Sequence, residues 1–252
     1  MKASNGLNMG GHYILKRIYG FWILYSSFYI LHNMKLLALD TATEACSAAL
    51  SFDGEIISRF EIAPRRHAGL VLPMVDQILA EAGYTISDLD AIAFGRGPGS
   101  FTGVRIAAGI TQGLAFAVDL PVIPVSSLAT IAQAMNGKSD YIVAAIDARM
   151  NEIYYGLYRS GTVVTLTDIE QVIAPDDIQI DNITTCYGAG SGWISYESIL
   201  KKRIGNRLKG HEGQCYPDAR HMLTIAEQEF RNGNLVSPEQ ALPVYLRDKV
   251  TG

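Results

Sequence analysis

Three cysteines in 252 residues, Cys46, Cys186 and Cys215, are too few and too scattered for a disulfide framework. None belongs to a Cys-x-x-Cys pair, which excludes a zinc ribbon or a dithiol redox site and fits a reducing cytosol. No two histidines stand four residues apart, so the His-x-x-x-His spacing that sets two imidazoles on one helix face is missing. No Gly-Lys-Ser/Thr follows the glycine-rich stretch at 95–103, so there is no P-loop. Gly95-x-Gly97 runs on to Gly99 rather than to a glycine at position 100, so the dinucleotide fingerprint is absent too. No Ser/His/Asp order and no Cys/His context for a nucleophile is visible. A transmembrane helix needs ~20 apolar residues. The apolar run Ile18 to Leu31 has 14 and is broken by Gly20, Ser26 and Ser27.

Acid is missing from residues 1–33, which carry Lys2, Lys16, Arg17 and seven of the 23 aromatic residues. No small-residue cleavage site follows the apolar run, as a signal peptide would require. Leu31-His32-Asn33 leads straight to Met34 and an apolar strand pattern. We read residues 1–33 as an upstream extension outside the fold and Met34 as the natural start, with a membrane anchor as the alternative. Without the extension 18 basic residues face 25 acidic ones, a net charge of −7. That charge suits a chain that does not bind a polyanion by itself.

What is present is an α/β pattern in a chain long enough for a sizeable core. Leu36 to Leu39 reads as a fully buried strand. Ser47 to Phe52 and Glu55 to Ile62 flank Asp53-Gly54, a hairpin signal. His67 to Ala82 places Leu70, Val71, Met74, Val75, Ile78 and Leu79 on one helical face. Ala91 to Phe94 reads as a buried strand that ends in Gly95, Gly97 and Gly99. A helix of small residues follows, capped by Ser100 or Thr102. Such a strand, turn and helix N-terminus aims backbone N–H groups at one spot and suits an anion. Glycine inside a helix costs about 1 kcal/mol against alanine, so Gly103, Gly109 and Gly113 call for a reason, and close approach of another backbone is the usual one. Further strands are expected at 121–125, 141–146, 153–158 and 184–187, with helices at 126–135 and 218–231. Residues 159–185 and 196–215 carry no motif.

Several strings together resemble the TsaB (YeaZ) family. They are Gly97-Pro-Gly-Ser-Phe-Thr-Gly-Val-Arg-Ile-Ala-Ala-Gly109, Lys35-Leu-Leu-Ala-Leu-Asp-Thr-Ala-Thr43 and Pro121-Val-Ile-Pro-Val-Ser-Ser-Leu128. Asp147-Ala-Arg149 with Glu152-Ile-Tyr154, and Ala241-Leu-Pro-Val-Tyr-Leu-Arg-Asp-Lys-Val250, complete the set. The resemblance spans about 215 residues from Met34. It implies an actin-like, ribonuclease H-like fold of two lobes, here 34–139 and 140–252. It also implies a cytoplasmic, non-catalytic partner in making threonylcarbamoyladenosine in tRNA, paired as a heterodimer with the transferase TsaD and joined by the ATPase TsaE. By this resemblance tRNA is met only through the complex.

In actin-like ATPases two acidic strand ends face the nucleotide phosphates. Asp40, beside Thr41, and Asp147 take those places, and Gly188-Ala-Gly190 resembles an adenosine loop. Asp40 is read first as a turn cap. Arg149 stands where an ATPase keeps small residues, and an arginine there would fill the phosphate site or pair with Asp147. The site is therefore expected to be degenerate, with no required cofactor, no metal and no catalytic residue, and with room for weak ATP or ADP binding at the complex interface. TsaD carries the His-x-x-x-His pair after its middle strand, whereas the matching segment here, Val125 to Thr130, has none. An active ATP-dependent transferase or kinase using Asp40 and Asp147 is the alternative. The partner surface implied by the family is the two helices that carry His67, Leu70, Val71 and Met74, and Thr102, Arg105, Ile106, Gly109 and Gly113. Whether the isolated chain forms a homodimer is left open by the sequence. His67 is expected on the surface, and the basic cluster Lys201, Lys202, Arg203, Arg207 and Lys209 is expected to be a solvated face.

Overall fold

The computed structural model describes residues 34–247, so the expectations for residues 1–33 and for the end of the tail lie outside the described residues. Two sheets follow one plan. In the first, strands β1 (Leu36–Asp40), β2 (Ala45–Phe52), β3 (Glu55–Ile62), β4 (Ala91–Gly95) and β5 (Val122–Val125) lie in the order β3-β2-β1-β4-β5. β2 is antiparallel to β1 and β3, while β4 and β5 continue parallel to β1. In the second sheet β6 (Tyr141–Asp147) takes the central place of β1. β7 (Ile153–Arg159) pairs antiparallel on one side and carries the short β8 (Thr165–Leu166) and β9 (Gln171–Ile173). β10 (Cys186–Ala189) and β11 (Leu208–Glu212) extend parallel on the other side. This duplication is the actin-like fold. It sets Asp40 and Asp147 at equivalent positions, each the last residue of a central strand.

Local chemistry explains the elements. Every residue of β1 is fully buried, as a continuous apolar run covered on both faces should be. Asp53 and Gly54 take φ of 49° and 82°, the pair of left-handed residues that a two-residue hairpin turn requires. Helix α1 (His67–Ala82) stops at Gly83, whose φ of 73° lets it close the last turn. Helix α2 (Phe101–Ala117) starts at Ser100, whose hydroxyl accepts from the Gly103 N–H at 3.1 Å. Helix α3 (Ser127–Ala134) is capped by Ser126, whose hydroxyl accepts from Leu128 and Ala129.

The helices are shared between the sheets. Val71, Val75 and Ile78 of α1 and Ala107 and Ala115 of α2 pack on Leu37, Leu39 and Phe94 from one side of the first sheet. Each such aliphatic side chain contributes roughly 1.5–3 kcal/mol on full burial. The other side is covered by α6 (Ala219–Asn232), from the second half of the chain: Met222, Leu223 and Ala226 meet Leu36, Ala38 and Ile123. Ser47 holds α6 in place, its hydroxyl donating to the Pro217 carbonyl at 3.3 Å and accepting from the Ala219 N–H at 3.0 Å. α3, from the first half, lays Leu128 and Ile131 on Ile142, Ala144 and Tyr158 of the second sheet. Helices α4 (Gly192–Ser195) and α5 (Glu197–Ile204) lie in the second half, where Trp193 is fully buried and donates from Nε1 to the Val143 carbonyl at 3.0 Å. The sequence pattern places α3 and α6 correctly along the chain but says nothing of this exchange.

The tail closes the structure as a strap. Gln112 Nε2 donates to the Ala241 carbonyl at 3.2 Å and the Val244 N–H to the Arg96 carbonyl at 2.8 Å. Arg247 then pairs with Glu152 at the start of the second sheet's hairpin. Glu170 joins the halves from inside: it accepts from Ser126 and Tyr158 and has the Arg96 guanidinium 3.9 Å away.

Candidate functional site

The two acidic strand ends do not meet as a pair of free carboxylates. Asp40 is fully buried: its Oδ1 accepts from the Ala42 N–H at 2.7 Å and its Oδ2 from the Ser127 hydroxyl at 2.8 Å. That is the turn-capping role. Burial pushes its pKa up from 3.8 to about 6, against the two hydrogen bonds that lower it. Gly95 packs so tightly here that a Cβ would overlap the Asp40 carboxylate. Thr41 is buried as well and donates to the Gly103 carbonyl at 2.7 Å. Of the degenerate nucleotide site expected here, Asp40 and Thr41 are buried and do not line the cleft.

Asp147 is saturated by its own lobe. Its Oδ1 accepts from the Arg149 N–H at 2.8 Å, and its Oδ2 accepts from Ser195 Oγ at 2.9 Å and from the Arg149 guanidinium at 3.2 Å. Tyr196 Oη stands 3.5 Å from Oδ1. Arg149, Met150 and Asn151 all take positive φ, of 62°, 55° and 60°, in a turn where glycines would sit without strain. Arg149 does pair with Asp147, as expected, and also faces Glu44 at 3.7 Å. Gly188 is packed tightly, since a Cβ would run into the Trp193 ring. Gly190, at φ 103°, lies against the Ala145 carbonyl. The open space between the halves is a cleft of about 770 Å³ walled by α1 and α2 N-termini on one side and by Asp147, Arg149 and Arg247 on the other. Of the six expected nucleotide-site residues only Asp147 and Arg149 line it.

The helix pair divides its residues cleanly. Val71 and Met74 belong to the lobe's own core, 0% and 7% exposed, so their assignment to a partner surface is corrected. His67 is buried too, as the first residue of α1, and not on the surface. Leu70 and Ile106 are half-buried against the same core. Thr102, Arg105, Gly109 and Gly113 are exposed, and nothing among the described residues lies within 4 Å of a Cβ built on either glycine. Leu72 of α1 and Phe116 of α2 are exposed, 41% and 68%. Arg105 is not wholly free: its guanidinium stacks 3.4 Å from the Phe101 ring centroid and its Nε donates to the Tyr245 hydroxyl at 2.8 Å. That cluster, and the Ser127, Ser195 and Tyr196 hydroxyls on the two acids, went unnoticed in the sequence. In the basic cluster Lys201 pairs with Glu197, Arg203 reaches Asp181 at 4.0 Å and Arg207 donates to the Ile180 carbonyl at 2.7 Å, while all three lysines are exposed.

The cysteines are buried, and desolvation holds the thiols of Cys46 and Cys215 up at about 12 and that of Cys186 at about 11. No thiolate nucleophile is available there. Among the described residues no three His, Cys, Asp or Glu side chains gather as a metal site, and no helix is long and apolar enough to cross a membrane.

Comparison with known proteins decides the kinship. The TsaB protein of Haemophilus influenzae, named for tRNA threonylcarbamoyladenosine biosynthesis, is 44% identical over 237 residues, covering 88% of this chain and 97% of its own. The TsaB of Escherichia coli is 44% identical over 226 residues, covering 86% and 96%. The solved structure of YeaZ from Pseudomonas aeruginosa superposes with a TM-score of 0.79 at 45% identity, over 84% of this chain and all of that one. The chain belongs to the TsaB (YeaZ) family. A family model described as TsaD, tRNA N6-adenosine threonylcarbamoyltransferase, matches residues 59–250. The TsaB relatives, matched over nearly their full lengths, give the finer assignment within that wider grouping.

Proposed function

We propose that this TsaB-family chain is a non-catalytic, cytoplasmic subunit that binds and activates TsaD in forming threonylcarbamoyladenosine in tRNA. Its names-sake relatives act in that biosynthesis by name, and the matching family model is that of the transferase. One observation carries the non-catalytic part. Asp147 is engaged by Arg149 and Ser195, with Tyr196 Oη 3.5 Å away, and Asp40 is sealed under Ser127. A kinase or transferase using both acids would need them turned to the cleft and free to hold a cation beside a phosphate. The outward stripe of α2 supports the partner role: two glycines with open space above them invite a second helix to within backbone distance. TsaE and tRNA join through the complex, with no cofactor required by this chain and only weak ATP or ADP binding where the partners meet.

The test is an assay of the chain with tRNA, threonylcarbamoyl adenylate and metal, with and without TsaD. Modification is expected only with TsaD present, and faster than with TsaD alone. Turnover by this chain by itself would overturn the reading in favour of the active enzyme.

A further inference from the structure

The first sheet covers one edge and leaves the other open. On β5 the Val122–Val236 bridge lies along the outer side. Beyond β3 no strand follows among the described residues, and its register with β2 is unbroken from Glu55 to Ile62. β3 has no proline, lysine or bulge, devices that commonly blunt an edge. The tight Asp53-Gly54 turn fixes which backbone groups point outward. Phe52 and Glu55 close it as a hydrogen-bonded pair, so Ile57, Arg59 and Glu61 turn their N–H and C=O groups to β2. The Ala63 N–H donates to the Glu44 carbonyl at 2.9 Å, in the same phase. Ile56, Ser58, Phe60 and Ile62 therefore turn theirs to the open side. Three of these four carry large apolar side chains, and all three are exposed: Ile56 50%, Phe60 44% and Ile62 48%. Open backbone groups and an apolar row on the same residues favour an added strand.

The charges of β3 fit a second copy of the same strand, added antiparallel about a two-fold axis. Opposite charges directly across such a pair stabilise it, and like charges destabilise it. With Ser58 on the axis, Glu55 would face Glu61 of the second copy, twice over. With Arg59 on the axis, the two Arg59 side chains would face each other. With Phe60 on the axis, Arg59 faces Glu61 of the second copy and Glu61 faces its Arg59. The two Phe60 rings then meet, and Ser58 lies across from Ile62. Both charged residues already stand in an exposed row on this chain, Arg59 with Glu81 and Glu61 with Arg66 at 3.0 Å. The added pairs join two such rows. We propose that β3 is a self-association edge: two copies pair antiparallel with Phe60 on the two-fold axis, and one sheet runs through both. The contact is isologous, so it closes as a dimer. It goes beyond the TsaD-activating reading and uses none of the α2 stripe.

The full chain is sedimented over a concentration series, and amide hydrogen exchange is followed at both ends of it. A monomer–dimer equilibrium is expected, with exchange at Ser58, Phe60 and Ile62 slowing as the dimer forms. Arg59→Glu turns two attractive pairs into repulsive ones and should weaken association by about tenfold. Glu61→Arg should do the same. The double variant Arg59→Glu with Glu61→Arg restores opposite charges and should regain most of the loss. Phe60→Thr keeps a strand-forming residue at an exposed position, so the fold is retained, and it should also weaken association. Melts of the dilute chain show that each variant is folded. Gly109→Leu, on α2, should leave the dimer unchanged. A chain that stays monomeric at about 0.3 mM overturns the proposal, as does a dimer indifferent to both Arg59→Glu and Phe60→Thr. A dimer lost in Gly109→Leu instead lies on α2 and overturns it too. Failure of the double variant to recover overturns the register. Exchange at Phe60 that is already slow in the monomer would mean that another part of the chain covers β3, and the proposal falls.

Discussion

The three glycines of α2 should respond to substitution in opposite ways. Gly103 is buried, and a Cβ there would overlap the Thr41 carbonyl oxygen and press on Ser100 Oγ. The backbone cannot retreat, because Thr41 Oγ1 donates to the Gly103 carbonyl at 2.7 Å. Gly103→Ala therefore forces backbone apart in the core and should cost roughly 3 kcal/mol, at the upper end of overpacking. At about 2–4 °C per kcal/mol for a chain of this size, the melt should drop by roughly 6–12 °C. Gly109 and Gly113 are exposed with nothing within 4 Å of a Cβ. Leucine there exchanges a poor helix former for a good one, worth about 0.7 kcal/mol each, and the melt should rise by about 2 °C per site. The effect on TsaD is opposite. If the partner helix packs on these glycines, each leucine wedges it away at ~1–3 kcal/mol, a loss of about 5- to 150-fold in affinity. Scanning calorimetry on the isolated chain and titration with TsaD give the two readouts. Gly109→Leu and Gly113→Leu variants that bind TsaD normally would refute the docking face. A lowered melt for either would refute the open-surface geometry itself.

Two further outcomes follow from the acids. Asp40 is held up at about 6 in the folded chain, above an unfolded value of about 3.9. The native state then keeps a proton that the unfolded state gives up between about pH 4 and 6, so stability falls as pH rises through that window, by on the order of 3 kcal/mol. Asp40→Asn keeps the acceptor for the Ala42 N–H and should abolish this loss, seen as a parent-minus-variant difference in urea unfolding that shrinks towards low pH; a difference constant from pH 4 to 7 would show that Asp40 titrates normally. Arg149→Gly gives up exposed ion pairs worth about 0–1 kcal/mol and relieves a left-handed backbone costing about 1–3 kcal/mol, so the melt should not fall by more than about 2 °C. It should hydrolyse no ATP, since Asp40 stays sealed, and phosphate release above background would count against the non-catalytic reading.

The fold was readable where a single element decides its own structure. The Asp53-Gly54 hairpin between Ser47 to Phe52 and Glu55 to Ile62, the apolar face of α1 and the Ser100 cap are local patterns, and each is present as expected. What escaped was non-local. β8, β9 and β11 are short or half-exposed strands with little apolar pattern of their own. They are ordered by pairing with neighbours, which no window of sequence shows. The helix faces show the same limit more sharply. A stripe such as Val71 and Met74 looks alike whether it meets its own sheet or a partner, because the hydrophobic effect is non-directional. Only the position of the first sheet settles that it is core. Glycine carries the opposite ambiguity. Gly103 and Gly109 sit six residues apart in one helix with the same backbone freedom, and the sequence gives both one reason, close approach of another backbone. For Gly103 that backbone is Thr41 of this chain, and the demand is met inside the fold. For Gly109 and Gly113 nothing among the described residues comes within 4 Å of a Cβ, although each costs the helix about 1 kcal/mol. That open helix face, and not the cleft, is what the proposed contact with a protein partner rests on.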